Sequence, residues 1–171
     1  MQLCKPSDAK AAGTSPLSFI VGDACGDNGL APNSVDIILN VEASHCYPSR
    51  AEFYKRCFET LAPGGMLLQV DFFDIRGSCD VGKDPDTARG LIKDAGFAFF
   101  QHGGDRDISK HVLSAMAVTD VSKRALIKQH SPAWMTPFVN RFAATKNSTM
   151  WELLLSGDSV YHLFRAVKPR A

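Results

Sequence analysis

The chain has 171 residues, 45% of them hydrophobic, which suits one globular core and leaves little for a second. Its formal net charge of +1, with basic residues scattered along the chain, gives no electrostatic footprint for nucleic acid. The five cysteines, Cys4, Cys25, Cys46, Cys57 and Cys79, follow no metal or redox spacing, and no apolar run approaches a bilayer span, so a reducing, cytoplasmic setting is expected. Buried filler is the expected role of those cysteines.

In chain order, residues 1–16 read as the end of a helix followed by a turn, with no phosphate-binding glycine loop. A strand is expected over 17–21, continuous and apolar as in a parallel sheet buried on both faces. Residues 27–33, with Gly29 and Pro32, read as a loop, and 35–41 as a second buried strand. Tyr54, Cys57, Phe58 and Leu61 recur on one helical face, and Pro63-Gly64-Gly65 is expected to stop that helix. A third strand is expected over 66–72. Asp84 then caps a helix with Pro85 in its first turn, a buried stripe of Ala88, Leu91, Ile92 and Ala95, and Gly96 just past its end.

Beyond Gly96 the regularity weakens. Residues 97–101 suggest a strand, and Asp107 or Ser109 a cap for a helix reaching about residue 129. Ser131-Pro132 breaks it; Met135, Phe138, Val139 and Phe142 mark another amphipathic helix, and Thr149 with Glu152 fits a capping box for a short one ended by Gly157. A last strand is expected over 161–167, followed by a solvated tail from Lys168. The alternation is that of an α/β fold with parallel connections.

Ligands in open α/β sheets bind at the carboxyl ends of strands, and here those ends carry chemistry. Gly22-Asp23-Ala24 supplies a flexible backbone and a carboxylate suited to an amine or an adenine amino group. Glu42, Ser44, His45, Cys46 and Tyr47 follow the second strand and Asp71 ends the third. A histidine beside a carboxylate can take a proton from a hydroxyl, so His45 with Asp71 is a candidate general base. The alternative is a loop histidine bonded to backbone beside a capping aspartate. A hydrolase is disfavoured because sequence neighbours such as Ser44 and His45 rarely face one another and no G-x-S-x-G elbow exists. Zinc on His45, Cys46 and Cys25 lacks a fourth ligand, so no metal is expected.

The segments Phe19-Ile-Val-Gly-Asp-Ala24, Ser34-Val-Asp36, Asn40-Val-Glu-Ala-Ser-His-Cys-Tyr-Pro48, Leu61-Ala-Pro-Gly-Gly65 and Val70-Asp-Phe72, in this order and spacing, resemble the class I S-adenosylmethionine-dependent methyltransferases. The likeness is to the small-molecule branch with a type 11 domain, whose members methylate hydroxyls on natural-product sugars and phenolic lipids. It extends more loosely to residue 168 and implies one partial Rossmann-like domain: core elements over 17–102, a helical cap over 103–157, and a final strand and tail over 158–171. S-adenosyl-L-methionine is the implied cofactor, with Gly22, Asp23 and Ala24 at its adenine and Asn40 and Val41 along its methionine half. The resemblance also implies His45 and Asp71 acting on an acceptor hydroxyl, in a pocket to which Glu42, Tyr47, Phe72, Trp134 and Trp151 are assigned. A small-molecule acceptor is the expected partner, with no nucleic acid and no transmembrane segment; homo-oligomerisation is left open.

The family's glycine loop, its ribose-binding acidic residue and its first two strands should all precede residue 17, and none is recognisable there. The expectation is therefore a fragment with impaired cofactor binding: at about 4.8 Å per strand step the missing strands leave a gap of about 14 Å, so that either the two halves close up or bare edges and apolar faces are exposed. Two other readings stand beside the O-methyltransferase: a non-catalytic binding or regulatory module, and a C-methyltransferase of a quinone or lipid.

Overall fold

The computed structural model describes residues 17–75 and 84–170. The expectations for residues 1–16, Cys4 and Cys79 lie outside the described residues. One mixed sheet runs β1 (Val35–Val41), β2 (Leu61–Asp74), β5 (Ser159–Val167) and β3 (Ala98–Phe99), with β4 (Asp105–Asp107) also paired to β5. β1 and β2 are parallel, joined through α1 (Arg50–Thr60); β5 is antiparallel to β2, β3 and β4. α2 (Pro85–Asp94) leads from β2 to β3, while α3 (Ser109–His130), α4 (Thr136–Phe142) and α5 (Thr149–Ser156) fill the interval before β5. These last three helices fall within residues 103–157, and β4 precedes them there.

Alternation along β2 sets the two sides of the sheet. Leu67, Gln69, Asp71 and Phe73 are buried on one face, where Leu67 and Phe73 join Phe53, Tyr54 and Cys57 of α1, Ala88 and Ile92 of α2, and Phe164 of β5 in the main core. Val70 and Phe72 on the other face pack against a smaller cluster of Met116, Trp151, Leu154 and Tyr161.

Residues 17–21 do not form the expected strand. They run irregularly, with Leu17, Phe19, Ile20 and Val21 all exposed, because no strand lies beside them among the described residues to pair with their backbone. Among the described residues β1 is an edge strand, with Ile37, Leu39 and Val41 at 57%, 67% and 55% exposure.

Local signals held or slipped for identifiable reasons. Asp84 accepts from the Thr87 N–H at 2.9 Å with Pro85 in the first turn, as expected. Gly96 follows α2 at φ 104°, and a Cβ there would lie 2.9 Å from the Phe58 ring. Gly96→Ala is expected to destabilise the fold by about 1–3 kcal/mol, read as a lowered urea midpoint. α1 ends at Thr60, before the Pro-Gly-Gly that was expected to stop it, because Leu61 already pairs with Val35 and draws Pro63-Gly64-Gly65 into β2. Ser148, not Thr149, caps α5, accepting from the Trp151 N–H at 3.3 Å. Ser148→Ala should cost about 1 kcal/mol in thermal or urea unfolding.

The tail does not begin at Lys168 as a solvated segment. Its ammonium donates to the Phe58 and Leu61 carbonyls at 2.7 and 2.9 Å and to Asn33 Oδ1 at 2.8 Å, and lies over the Phe58 ring. A cation thus meets the carbonyl end of α1, where the helix leaves acceptors unpaired.

Candidate active site

The parallel pairing of β1 and β2 ends with Asn40 and Val41 opposite Gln69 and Val70, just ahead of Asp71 and Phe72, and the chain turns sharply after Val41. Glu42 takes a left-handed backbone, φ 51°, while its N–H donates to the Val70 carbonyl at 2.8 Å. The 3₁₀ turn Ser44–Cys46 folds back over the end of β2. This brings His45 to Asp71, 26 residues further along: Nδ1 lies 2.8 Å from Oδ1.

Asp71 has no solvent exposure, and its oxygens are surrounded by donors. Ser44 Oγ donates to Oδ2 at 2.5 Å, the His45 N–H to Oδ2 at 3.1 Å, and the Phe72 N–H to Oδ1 at 3.0 Å. Gln69 Nε2 in turn donates to Ser44 Oγ at 2.8 Å, which commits the hydroxyl's own hydrogen to Asp71. A carboxylate so enclosed is an acceptor for the His45 Nδ1–H and leaves Nε2 as the ring's free acceptor. The imidazole is 24% exposed and packs on Phe72 with ring centroids 4.3 Å apart, so one edge stays open to a ligand.

The expected pocket residues separate into two groups. Phe72 supports His45 and faces Tyr161, its cross-strand partner in β5. The Tyr161 hydroxyl donates to Glu42 Oε1 at 2.5 Å; burial, then this carboxylate, push the phenol's pKa up and keep it protonated. Tyr47 receives a bond from Asn40 Nδ2 at 2.9 Å, and burial raises its pKa against that donation. The two tryptophans are not brought to His45: Trp151 is buried with Met116 and Leu154, and Trp134 is exposed ahead of α4. Of the described cysteines, Cys57 is buried, Cys25 half-buried and Cys46 exposed, so among these three the filler role fits Cys57 in full.

Two groups at this end fit part of the expected cofactor. Asn40 is buried, and its Oδ1 has no hydrogen-bond partner, an acceptor suited to the ammonium of an amino acid. The loop with Gly22, Asp23 and Ala24 is held to the start of α1, where Cys25 Sγ contacts the Ser49 carbonyl at 3.3 Å. A Cβ at Gly22 would sit 2.6 Å from the Asn28 carbonyl oxygen, so that position admits only glycine. Asp23 uses Oδ1 to accept from the Cys25 N–H at 2.9 Å and retains acceptor capacity for a further donor.

Sequence reasoning missed Gln69, Tyr161 and Arg50. Gln69 carried a signal, a lone polar residue inside the apolar run of a strand. Tyr161 is linked to the site only by the β2–β5 register, which spacing does not reveal.

A family model described as a methyltransferase domain matches residues 3–69. The phthiotriol/phenolphthiotriol dimycocerosates methyltransferase of Mycobacterium leprae is 30% identical over 154 residues, covering 89% of this chain and 52% of that protein. The fatty-acid O-methyltransferase of Mycolicibacterium smegmatis is 27% identical over 90% of this chain and 51% of its own length. The chain thus spans about half the length of these curated relatives. A structure of Haemonchus contortus phosphoethanolamine N-methyltransferase 2 with S-adenosyl-L-methionine superposes with a TM-score of 0.56 at 18% identity, over 86% of this chain and 36% of that one, a likeness of fold. Sequence order, sheet and relatives agree in supporting a class I S-adenosylmethionine-dependent methyltransferase.

Proposed function

We propose that this chain carries the acceptor side of an enzyme that methylates a hydroxyl on a small, largely apolar molecule, with His45 as general base and Asp71 as its orienting carboxylate. The observation that carries the reading is the 2.8 Å contact between His45 Nδ1 and a fully buried, multiply bonded Asp71. S-adenosylmethionine, when bound, supplies a methyl group already activated by its sulfonium.

The chain's own residues then have three tasks. Asn40 Oδ1 and the loop of Gly22, Asp23 and Ala24 would hold the methionine and adenine ends. Phe72 and Tyr161 give an apolar floor next to the imidazole. His45 Nε2 accepts the hydroxyl proton as the oxygen attacks, and the Asp71 carboxylate stabilises the imidazolium that forms. The apolar floor, and relatives named for lipid and fatty-acid methylation, support a lipid-like acceptor.

The test is transfer of labelled methyl from S-adenosylmethionine to a panel of hydroxylated lipids, with the product's methyl located by NMR. An ether methyl is expected. Methyl on carbon would overturn the hydroxyl reading, and S-adenosylhomocysteine binding with no turnover of any acceptor would favour a non-catalytic module.

A further inference from the structure

Arg50 is a buried cation short of acceptors among the described residues. It opens α1 and is only 8% exposed, yet both terminal amino groups are buried without a hydrogen-bond partner. Its one polar contact is a long 3.4 Å bond from Nε to the Ser44 carbonyl, and its guanidinium lies 4.7 Å from the Phe73 ring centroid. A cation–π contact offsets part of the cost of burying the charge, but five donors on one planar head call for oxygen acceptors, and two of its nitrogens have none.

The same residue walls a cavity of about 720 Å³ between α1, α2 and the 3₁₀ turn. Pro48 and Ala51 on one side and Ala88 and Leu91 on the other make most of its lining apolar, and His45 stands at its wall. That volume falls in the range of small-molecule pockets, which pair apolar walls with a few placed polar groups.

We propose that this cavity binds an amphipathic oxyanion, its alkyl body between α1 and α2 and its carboxylate or phosphate on Arg50. Guanidinium matches both headgroups in planar, two-pronged fashion, and the arginine stem lets the head turn to meet one. An oxyanion there would supply the acceptors that the two amino groups lack. Because His45 borders the cavity, the ligand names a substrate class for the site described above, an anionic amphiphile that carries its accepting hydroxyl apart from the headgroup, and to that extent rests on the methyltransferase reading; binding of its anionic end is measurable without turnover.

The experiment is equilibrium dialysis of the full chain, below micellar concentration, against labelled dodecanoate, dodecyl phosphate, dodecanol and acetate. Dodecanoate or dodecyl phosphate is expected to bind about 10-fold or more tighter than dodecanol, and acetate not measurably. The preferred headgroup distinguishes carboxylate from phosphate. Arg50→Met should lose that preference and Arg50→Lys recover part of it. Should Arg50→Met fail to fold, Ala51→Trp, at an exposed helical position that walls the cavity, should weaken dodecanoate binding by a similar factor. Equal binding of dodecanol and dodecanoate by the unmodified chain, or unchanged dodecanoate affinity in folded Arg50→Met, overturns the assignment. Parallel measurements separate the two readings: S-adenosylhomocysteine bound without dodecanoate sinks this one alone, and dodecanoate bound with no labelled methyl transferred to any hydroxylated lipid counts against the other.

Discussion

His45→Ala is expected to lower turnover of a hydroxyl acceptor by about 10²- to 10⁴-fold, the usual range for loss of a general base. Its affinity for S-adenosylhomocysteine should hold, because Asn40, Asp23 and Ala24 are untouched. Asp71→Asn should approach the same loss by a different route. The carboxylate takes bonds from Ser44 Oγ, the His45 and Phe72 N–H groups and His45 Nδ1, and an amide nitrogen can accept from none of them. The ring then loses the partner that keeps its proton on Nδ1 and its lone pair on Nε2. Single-turnover kinetics with matched titrations of S-adenosylhomocysteine provide the check. Activity within tenfold of the parent in His45→Ala would remove the imidazole from the chemistry.

Phe164→Ala is expected to cost about 3–5 kcal/mol in urea unfolding. Phe164 is fully buried in β5 at the centre of an aromatic group: its ring meets Phe73 edge-on at 5.9 Å, Phe99 at 6.0 Å and His162 at 4.7 Å. Truncation removes transfer energy and opens a cavity that two sheet strands and two helices must close around. Val121→Ala on the exposed flank of α3 is the control, expected within about 0.5 kcal/mol of the parent. A loss below about 1 kcal/mol for Phe164→Ala would mean that the core collapses around the gap far more readily than close packing permits.

The sequence made some parts of this molecule legible and hid others for physical reasons. α2 was readable because its signals are local: Asp84, Pro85 and Gly96 act through backbone geometry within a turn of themselves. The His45–Asp71 pair was legible because Asp71 lies one residue past the end of the β1–β2 pairing and His45 in the turn that follows β1, and adjacent parallel strands deliver such positions to one edge. Residues 17–21 were misread because an apolar run records what a segment can bury, whereas a strand needs a neighbour to bond with. β4 was invisible since Asp105-Arg106-Asp107 has no apolar alternation. It is fixed by side chains instead, with Asp105 bridging Arg89 and His162. Burial alone would raise the Asp105 carboxyl, but those two partners outweigh it and hold the group below its ordinary pKa. Arg50 went unnoticed because a charged residue in a first helical turn ordinarily faces water.

The antiparallel partner of β2 is β5, the last strand of the sheet, and β3 and β4 also bond to it. On a ribosome, Leu67, Phe73 and Ile92 are therefore synthesised long before the strand that seals them exists, and only emergence of residues 159–167 lets the sheet close. A nascent chain must carry that half-built apolar surface through the synthesis of α3, α4 and α5. Folding is accordingly expected to wait for residues 159–167, to be slow and to depend on holdase chaperones, and a stop codon ahead of Ser159 should yield aggregate in place of a smaller folded protein.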